Sequence, residues 1–179
     1  MIDTPLQGLK ILQRNPISDS RGFLERMFCQ ETLKEVLGQK SIRQINHTLT
    51  AREGTIRGFH FQYPPFSEIK IVSCLKGEVW DVVVDIRKDS PTFLQSFGVL
   101  LNAVNHRSLF ILDGFAHGFQ TLSTDCEMLY FHTQDYNAGA EGGLNVLDPK
   151  LAIAWPHELS ERSSRDENHP FLEDTFSGI

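Results

Sequence analysis

An all-β jelly-roll barrel is the fold this sequence predicts, and three observations carry it. Apolar residues recur with a period of two along most of the chain. Short candidate strands are separated by Gly, Pro, Asn and Asp turn signals. One segment alone reads as a helix. Many short strands with few helices point to a barrel or sandwich. The chain has 179 residues, 40% apolar and 22% charged, enough for one domain (1–179) with its own core.

The elements follow in order. Leu9–Gln13 and Phe23–Phe28 are the first candidate strands. Glu31–Leu37 reads as a helix that Gly38 ends. Ile42–Thr50 is extended again. The stretch Thr55–Arg87, "TIRGFHFQYPPFSEIKIVSCLKGEVWDVVVDIR", holds β-branched runs around a Lys76-Gly77 turn. In it Gly58, His60 and Gln62 share one face, opposite Phe59 and Phe61. Lys70, Val72 and Cys74 alternate with Ile71, Ser73 and Leu75. Trp80, Val82, Val84 and Ile86 share a face, with Asp81 and Asp85 on the other. Ser90-Pro91 turns the chain towards Gly98–Leu101 and Ser108–Leu112. Asp113-Gly114 opens the tight corner "DGFAHGF", which carries His117. Cys126–Thr133 places Cys126, Met128, Tyr130 and His132 on one face. After Asp148-Pro149, the charged tail beyond Pro156 is expected to wind over the surface.

Composition excludes several classes. A net charge of −6 argues against a nucleic-acid scaffold. No window approaches the length of a membrane span, and the N-terminus lacks the pattern of a signal peptide. Cys29, Cys74 and Cys126 are an odd set without metal-type pairing, which fits reduced thiols in a cytoplasmic protein. Phosphate loops of the Walker type and the Gly-x-Gly-x-x-Gly fingerprint are absent.

The polar residues inside these strands are the functional signal. Taken singly, His60 fits a satisfied core histidine, Lys70 an outward charge on an edge strand, and Tyr130 a packing residue. Together in one barrel they would form a polar cavity, since an unpaired buried lysine is costly and a ligand chamber explains it better than a packed core. A metal site is not expected. His60 is followed by Phe61 and Gln62 where a His-x-His pair would stand, and His117 lacks ligands at matching spacing. Glu68, Asp81 and Asp85 read as solvated or tied to arginines such as Arg87. His47, His106, His132, His157 and His169 read as surface or packing residues.

Five segments resemble one family: "DSRGFLERMF" (Asp19–Phe28), "RQINHTLTAREGTIRGFHFQYPP" (Arg43–Pro65), "EIKIVSCLKGEVWDVVVDIRKDSPTF" (Glu68–Phe93), "FILDGFAHGFQTLSTDCEMLY" (Phe110–Tyr130), and "AIAWP" with "SSRDENHPFL" (Ala152–Leu172). In this order they are similar to the dTDP-4-dehydrorhamnose 3,5-epimerase family of cupins. The resemblance implies a homodimer whose site is shared across subunits. It implies a nucleotide-linked 4-keto-6-deoxy sugar as substrate and no metal or organic cofactor. By resemblance His60 is the base, Asp166 its carboxylate partner, Lys70 the cation near the ketone and Tyr130 the general acid. Arg57, Gln44, Asn46, His117 and Arg165 line the sugar and phosphate site, and Arg21 is donated across the dimer. The chain departs from the family at Arg26, at "FSEIK" where "HAQGK" is common, and at "GLNVLDP" (Gly143–Pro149).

These residue types suit deprotonation beside a ketone. A histidine titrates near neutral pH, an aspartate fixes its tautomer, a lysine stabilises an enolate oxygen and a tyrosine returns a proton. An epimerase acting at C3 only is the near alternative. A metal-dependent cupin oxygenase and a silent sugar-nucleotide binder are the alternatives from other classes.

Overall fold

The structure, a computed structural model, describes residues 1–179. Its elements are β1 (Ile2–Asp3), β2 (Lys10–Gln13), β3 (Ile17–Asp19), β4 (Gly22–Leu24), α1 (Gln30–Leu37), β5 (Gln44–Thr50), β6 (Ile56–Gln62), β7 (Lys70–Lys76), β8 (Glu78–Asp85), β9 (Ser96–Asn102), β10 (Arg107–Ile111), β11 (Phe115–Thr121), β12 (Cys126–His132), β13 (Glu141–Gly143) and α2 (Ser164–Glu167). Two antiparallel sheets make the jelly roll. One runs β1-β2-β10-β7-β12-β5 and the other β13-β6-β11-β8-β9. The hairpin β3–β4 stands apart from both. No helix is long and apolar enough to cross a membrane.

Between the sheets lies an apolar cluster that includes Ile11, Val72, Val83, Leu101, Leu109, Phe119 and Met128, all buried. Each such side chain is worth about 1.5–3 kcal/mol of transfer free energy. A second cluster lies outside the β6–β11–β8 face. There Phe59, Phe61, Val82, Val84 and Ile86 meet Leu144, Val146, Leu151 and Leu172 from the C-terminal segment. A third seats α1, through Leu33 and Leu37, on Ile71, Phe110 and Phe131. The helix stops where its sequence says: Gly38 takes φ +59 and its N–H donates to Lys34 O at 2.9 Å.

Three sequence expectations are corrected here. The strand expected over Phe23–Phe28 ends at Leu24. Glu25 turns inward to Arg14 Nε (3.0 Å) and His106 Nδ1 (2.9 Å), and this ion cluster draws the chain out of extended pairing. Second, the corner around His117 is a seven-residue strand, β11. It sits between β6 and β8 with both faces covered, so every residue is buried and no alternation marks it in sequence. Third, the aspartates of β8 face the interior and its aliphatic stripe faces out. Trp80, Val82, Val84 and Ile86 are covered by the chain's own C-terminal segment and are not free for a subunit contact.

Candidate active site

The β5 end of one sheet and the β13–β6 end of the other enclose a cavity of about 270 Å³. Its walls include His60, Lys70, Tyr130, Gln44, Asn46, Arg57, His117 and Arg165, eight of the ten residues singled out in the sequence. Asp166 stands directly behind His60. Arg21 is elsewhere, exposed on the β3–β4 hairpin and paired with its own Asp19.

A bulge sets the β6 wall. On β11, His117 and Phe119 are two residues apart; their partners on β6, His60 and Arg57, are three apart. The extra residue lets Arg57 and His60 both face the cavity, which strict alternation forbids. Gly58 occupies the bulge at φ +124, and a Cβ there would come within 2.6 Å of Gly118 Cα. Its N–H donates to Asp166 Oδ2 at 3.1 Å.

Asp166 arrives on α2. Ser163 caps that turn by accepting from the Asp166 N–H, and the Ile56 N–H donates to Glu161 O at 3.0 Å, tying the segment to β6. Asp166 Oδ1 is 2.8 Å from His60 Nε2, leaving Nδ1 without a partner in the chain. Burial alone would raise the carboxyl's pKa. The hydrogen bond and charge of His60, with the Gly58 N–H, outweigh it and hold Asp166 well below the usual carboxylate range. His169, read from the sequence as a surface or packing residue, packs edge-on against His60 with centroids 5.5 Å apart. Burial, then the nearby His60, pushes its imidazole below the ordinary value. The potential ligand atoms of His60, Asp166 and His169 lie within 4.8 Å of one another. Arg165 Nε, 3.6 Å from Asp166 Oδ1, already supplies positive charge there.

On the facing sheet, β7 and β12 put Lys70 directly opposite His132. Tyr130 is the next inward residue on β12, half-buried, and its ring stacks with that of His132 at 6.0 Å. Burial pushes the phenol above its ordinary value, so it stays protonated. His117 Nε2 lies 3.0 Å from both oxygens of Asp81, which has no exposed surface. Burial lifts the Asp81 carboxyl, and His117 offsets this only in part.

Two acidic residues were misread in the sequence. Asp81 and Glu68 are inside, paired with histidines, and only Asp85 pairs with Arg87 as expected (2.7 Å). His132 is likewise a cavity wall. The signal for both was available: Glu68 lies two residues before Lys70, and His132 two after Tyr130, on the same inward faces.

A jelly roll with a histidine–aspartate pair facing a lysine and a tyrosine across a polar chamber defines a proton-transfer enzyme. Comparison with known proteins agrees. A family model described as dTDP-4-dehydrorhamnose 3,5-epimerase matches residues 3–174. The epimerase of that name from Salmonella typhimurium is 42% identical over 175 residues, covering 97% of this chain and 95% of that protein. A Legionella pneumophila 3,5-epimerase, solved in complex with dTDP-4-keto-L-rhamnose, is 39% identical with a TM-score of 0.90, covering 95% and 90% of the two chains. A 3′-monoepimerase from Streptomyces bikiniensis, solved with dTDP-quinovose, is 30% identical with a TM-score of 0.88, covering 96% and 87%. The chain belongs to the dTDP-4-dehydrorhamnose 3,5-epimerase family. It is an isomerase that epimerises a nucleotide-linked 4-keto-6-deoxy sugar.

Proposed function

We propose that the enzyme inverts both C3 and C5 of a dTDP-linked 4-keto-6-deoxy sugar, with His60 as base and Tyr130 as acid. The observation that carries this is the placement of the two groups on opposite sheets, with the cavity between them. A ring held there has one face towards His60 and the other towards Tyr130. Asp166 fixes Nε2–H, so Nδ1 takes the proton from the carbon beside the ketone. Charge develops on the ketone oxygen, and the ammonium of the largely buried Lys70 side chain stabilises it. Tyr130 then protonates the opposite face, and solvent resets both groups. C3 and C5 both flank the C4 ketone, so one such set serves both carbons if the ring reorients. Beside the cavity, sharing Arg57, His60 and Arg165, lies a groove that also bears Arg52 and Arg162. Its guanidinium groups suit a diphosphate.

The test is turnover of the dTDP-linked 4-keto-6-deoxy sugar in heavy water, read by NMR. Deuterium at both C3 and C5 of the product is expected; label at C3 alone makes this a C3 epimerase. Tyr130→Phe should exchange hydrogen faster than it inverts configuration, because His60 can return the proton to the original face. Equal loss of exchange and inversion would remove Tyr130 from the acid role.

The reading includes a cytoplasmic homodimer, in keeping with three free thiols. The β3–β4 hairpin leaves Ile17 and Leu24 more than 70% exposed, and the outer face of β5 leaves Ile45 and Leu49 uncovered. These apolar surfaces fit a subunit contact that carries Arg21 to the partner's site. Mixing Arg21→Ala with His60→Ala chains should restore activity, since each mixed dimer then holds one complete site. No recovery after verified subunit exchange would place Arg21 outside the partner's site.

A further inference from the structure

A chain of hydrogen bonds crosses the cavity wall from its mouth to Lys70. The Tyr136 N–H donates to Gln44 Oε1 at 3.1 Å, and Gln44 Nε2 donates to Asn46 Oδ1 at 3.1 Å. Asn46 Nδ2 lies 3.4 Å from His132 Nε2, and His132 Nδ1 lies 2.8 Å from Glu68 Oε2. The other Glu68 oxygen, Oε1, is 3.2 Å from Lys70 Nζ. With the His132 Nδ1–H donating to Glu68, every donor in this chain points towards Glu68. The Glu68 and Lys70 side chains are only 8% and 12% exposed, so the pair is held away from bulk water.

The backbone explains how an acid from a loop joins the set. The Ile69 N–H donates to Thr133 Oγ1 at 2.8 Å, and the Thr133 N–H donates to Ile69 O at 3.1 Å. These bonds extend the β7–β12 pairing one step past the strand, so Glu68 continues the inward face of Lys70. Burial alone would raise the Glu68 carboxyl; His132 and Lys70 overcome this and keep it ionised.

We propose that Glu68 and His132 are positioning residues: Glu68 holds the Lys70 ammonium at the ketone oxygen, and His132 transmits the same anchor to the Asn46 and Gln44 amides that contact the substrate. This rests on the epimerase reading above, with Lys70 as the enolate stabiliser. Without the Glu68 charge, Lys70 loses its fixed partner in a site that disfavours an unpaired ammonium, and its time near the ketone falls. Without the His132 ring acceptor, the two amides lose their common orientation while Lys70 keeps its partner. The two substitutions therefore separate chemistry from binding.

The experiment measures kcat, KM, solvent hydrogen exchange and thermal midpoint for wild type, Glu68→Gln, His132→Asn, Lys70→Ala and Glu68→Gln/Lys70→Ala. Glu68→Gln should lower kcat by about 10- to 100-fold, the worth of one charge-assisted hydrogen bond, with exchange and inversion falling together. Its KM should stay within about threefold of wild type. In the Lys70→Ala background the same change should cost little more, because Glu68 acts through Lys70. His132→Asn keeps a donor for Glu68 and loses the acceptor for Asn46. It should raise KM by about 10-fold with a smaller loss in kcat. Wild-type turnover in Glu68→Gln, or a full additive loss on top of Lys70→Ala, overturns the proposal. If Glu68→Gln does not fold, His132→Asn decides through the same split, and an unchanged KM there overturns it. A wild-type enzyme inactive on every nucleotide 4-keto sugar tested would sink the epimerase reading instead.

Discussion

The interior of the sandwich has two lateral halves with opposite contents. Towards β2, β10, β8 and β9 it is filled by Leu6, Leu9, Val79, Val99, Leu101 and Leu109. Towards β5, β6 and the Tyr130–His132 end of β12 it holds His60, Glu68, Lys70, Tyr130 and His132 around an open cavity. The same strands serve both halves: on β7, Val72 and Cys74 belong to the dry half and Lys70 to the wet one. Stability and chemistry are thus separated along single strands. Buried ion pairs seldom repay their own desolvation, so the dry half must supply the free energy that the wet half consumes.

Substitutions test this division. His60→Ala should reduce turnover by about 10³-fold, the scale of a lost general base, with a thermal midpoint within a few degrees of wild type. Asp166→Asn should be milder, because an amide still orients the ring but does not stabilise imidazolium. An Asp166→Asn enzyme with full activity would assign the partnership to another carboxylate. The dry half should behave in the opposite way. Leu101→Ala should cost about 3 kcal/mol of unfolding free energy by denaturant titration, with kcat of the folded enzyme unchanged. A large fall in kcat there would mean the halves are coupled.

Smaller effects sharpen the picture. Asp85 is fully buried and bonded to Arg87, Ser90 and Thr92. Burial alone would raise its carboxyl, but these partners hold it at about 2. Its folded value lies below the unfolded one near 3.9, so its stabilisation is complete above about pH 4 and is lost as pH falls towards 2. Asp85→Asn should cost on the order of 2 kcal/mol at neutral pH and flatten the acid limb of the stability profile. An acid limb unchanged in the variant would rule this out. The smallest effect is chemical. Cys74 and Cys126 are buried, and burial pushes the Cys74 thiol up to about 12. A thiol reagent should therefore label one site, Cys29, in the folded protein. Labelling at Cys74 would show that the dry half opens to solvent.

Much of this was legible in the sequence. Period-two runs marked β5, β7, β8, β9, β10 and β12, and the glycine stop marked the end of α1. His60, Lys70 and Tyr130 stood out as polar residues inside strands, Asp166 and the four roles came through family resemblance, and the structure brings all four residues to one place. What stayed hidden has physical causes. Alternation reveals that a strand has two faces but not which one points inward, so Asp81 was read as solvated or tied to an arginine. Alternation puts Arg57 on the face opposite His60, and only the bulge at Gly58, which no period reveals, brings the two together. Glu68 continues the Lys70 face but lies outside the strand, so the alternation was not carried back to it. His169 reached the site through the fold of a tail with no periodicity.

The covering of β6 and β8 by the C-terminal segment has a consequence for the timing of maturation. The two halves of the His60–Asp166 pair are 106 positions apart, and the second half comes with the segment that closes the outer cluster. A chain whose sheets have formed but whose last segment is still loose would have a barrel, a cavity and a histidine without its carboxylate. In refolding, sheet signal should recover before turnover does. The enzyme would then be silent throughout its own assembly, with activity reporting that the final segment has docked.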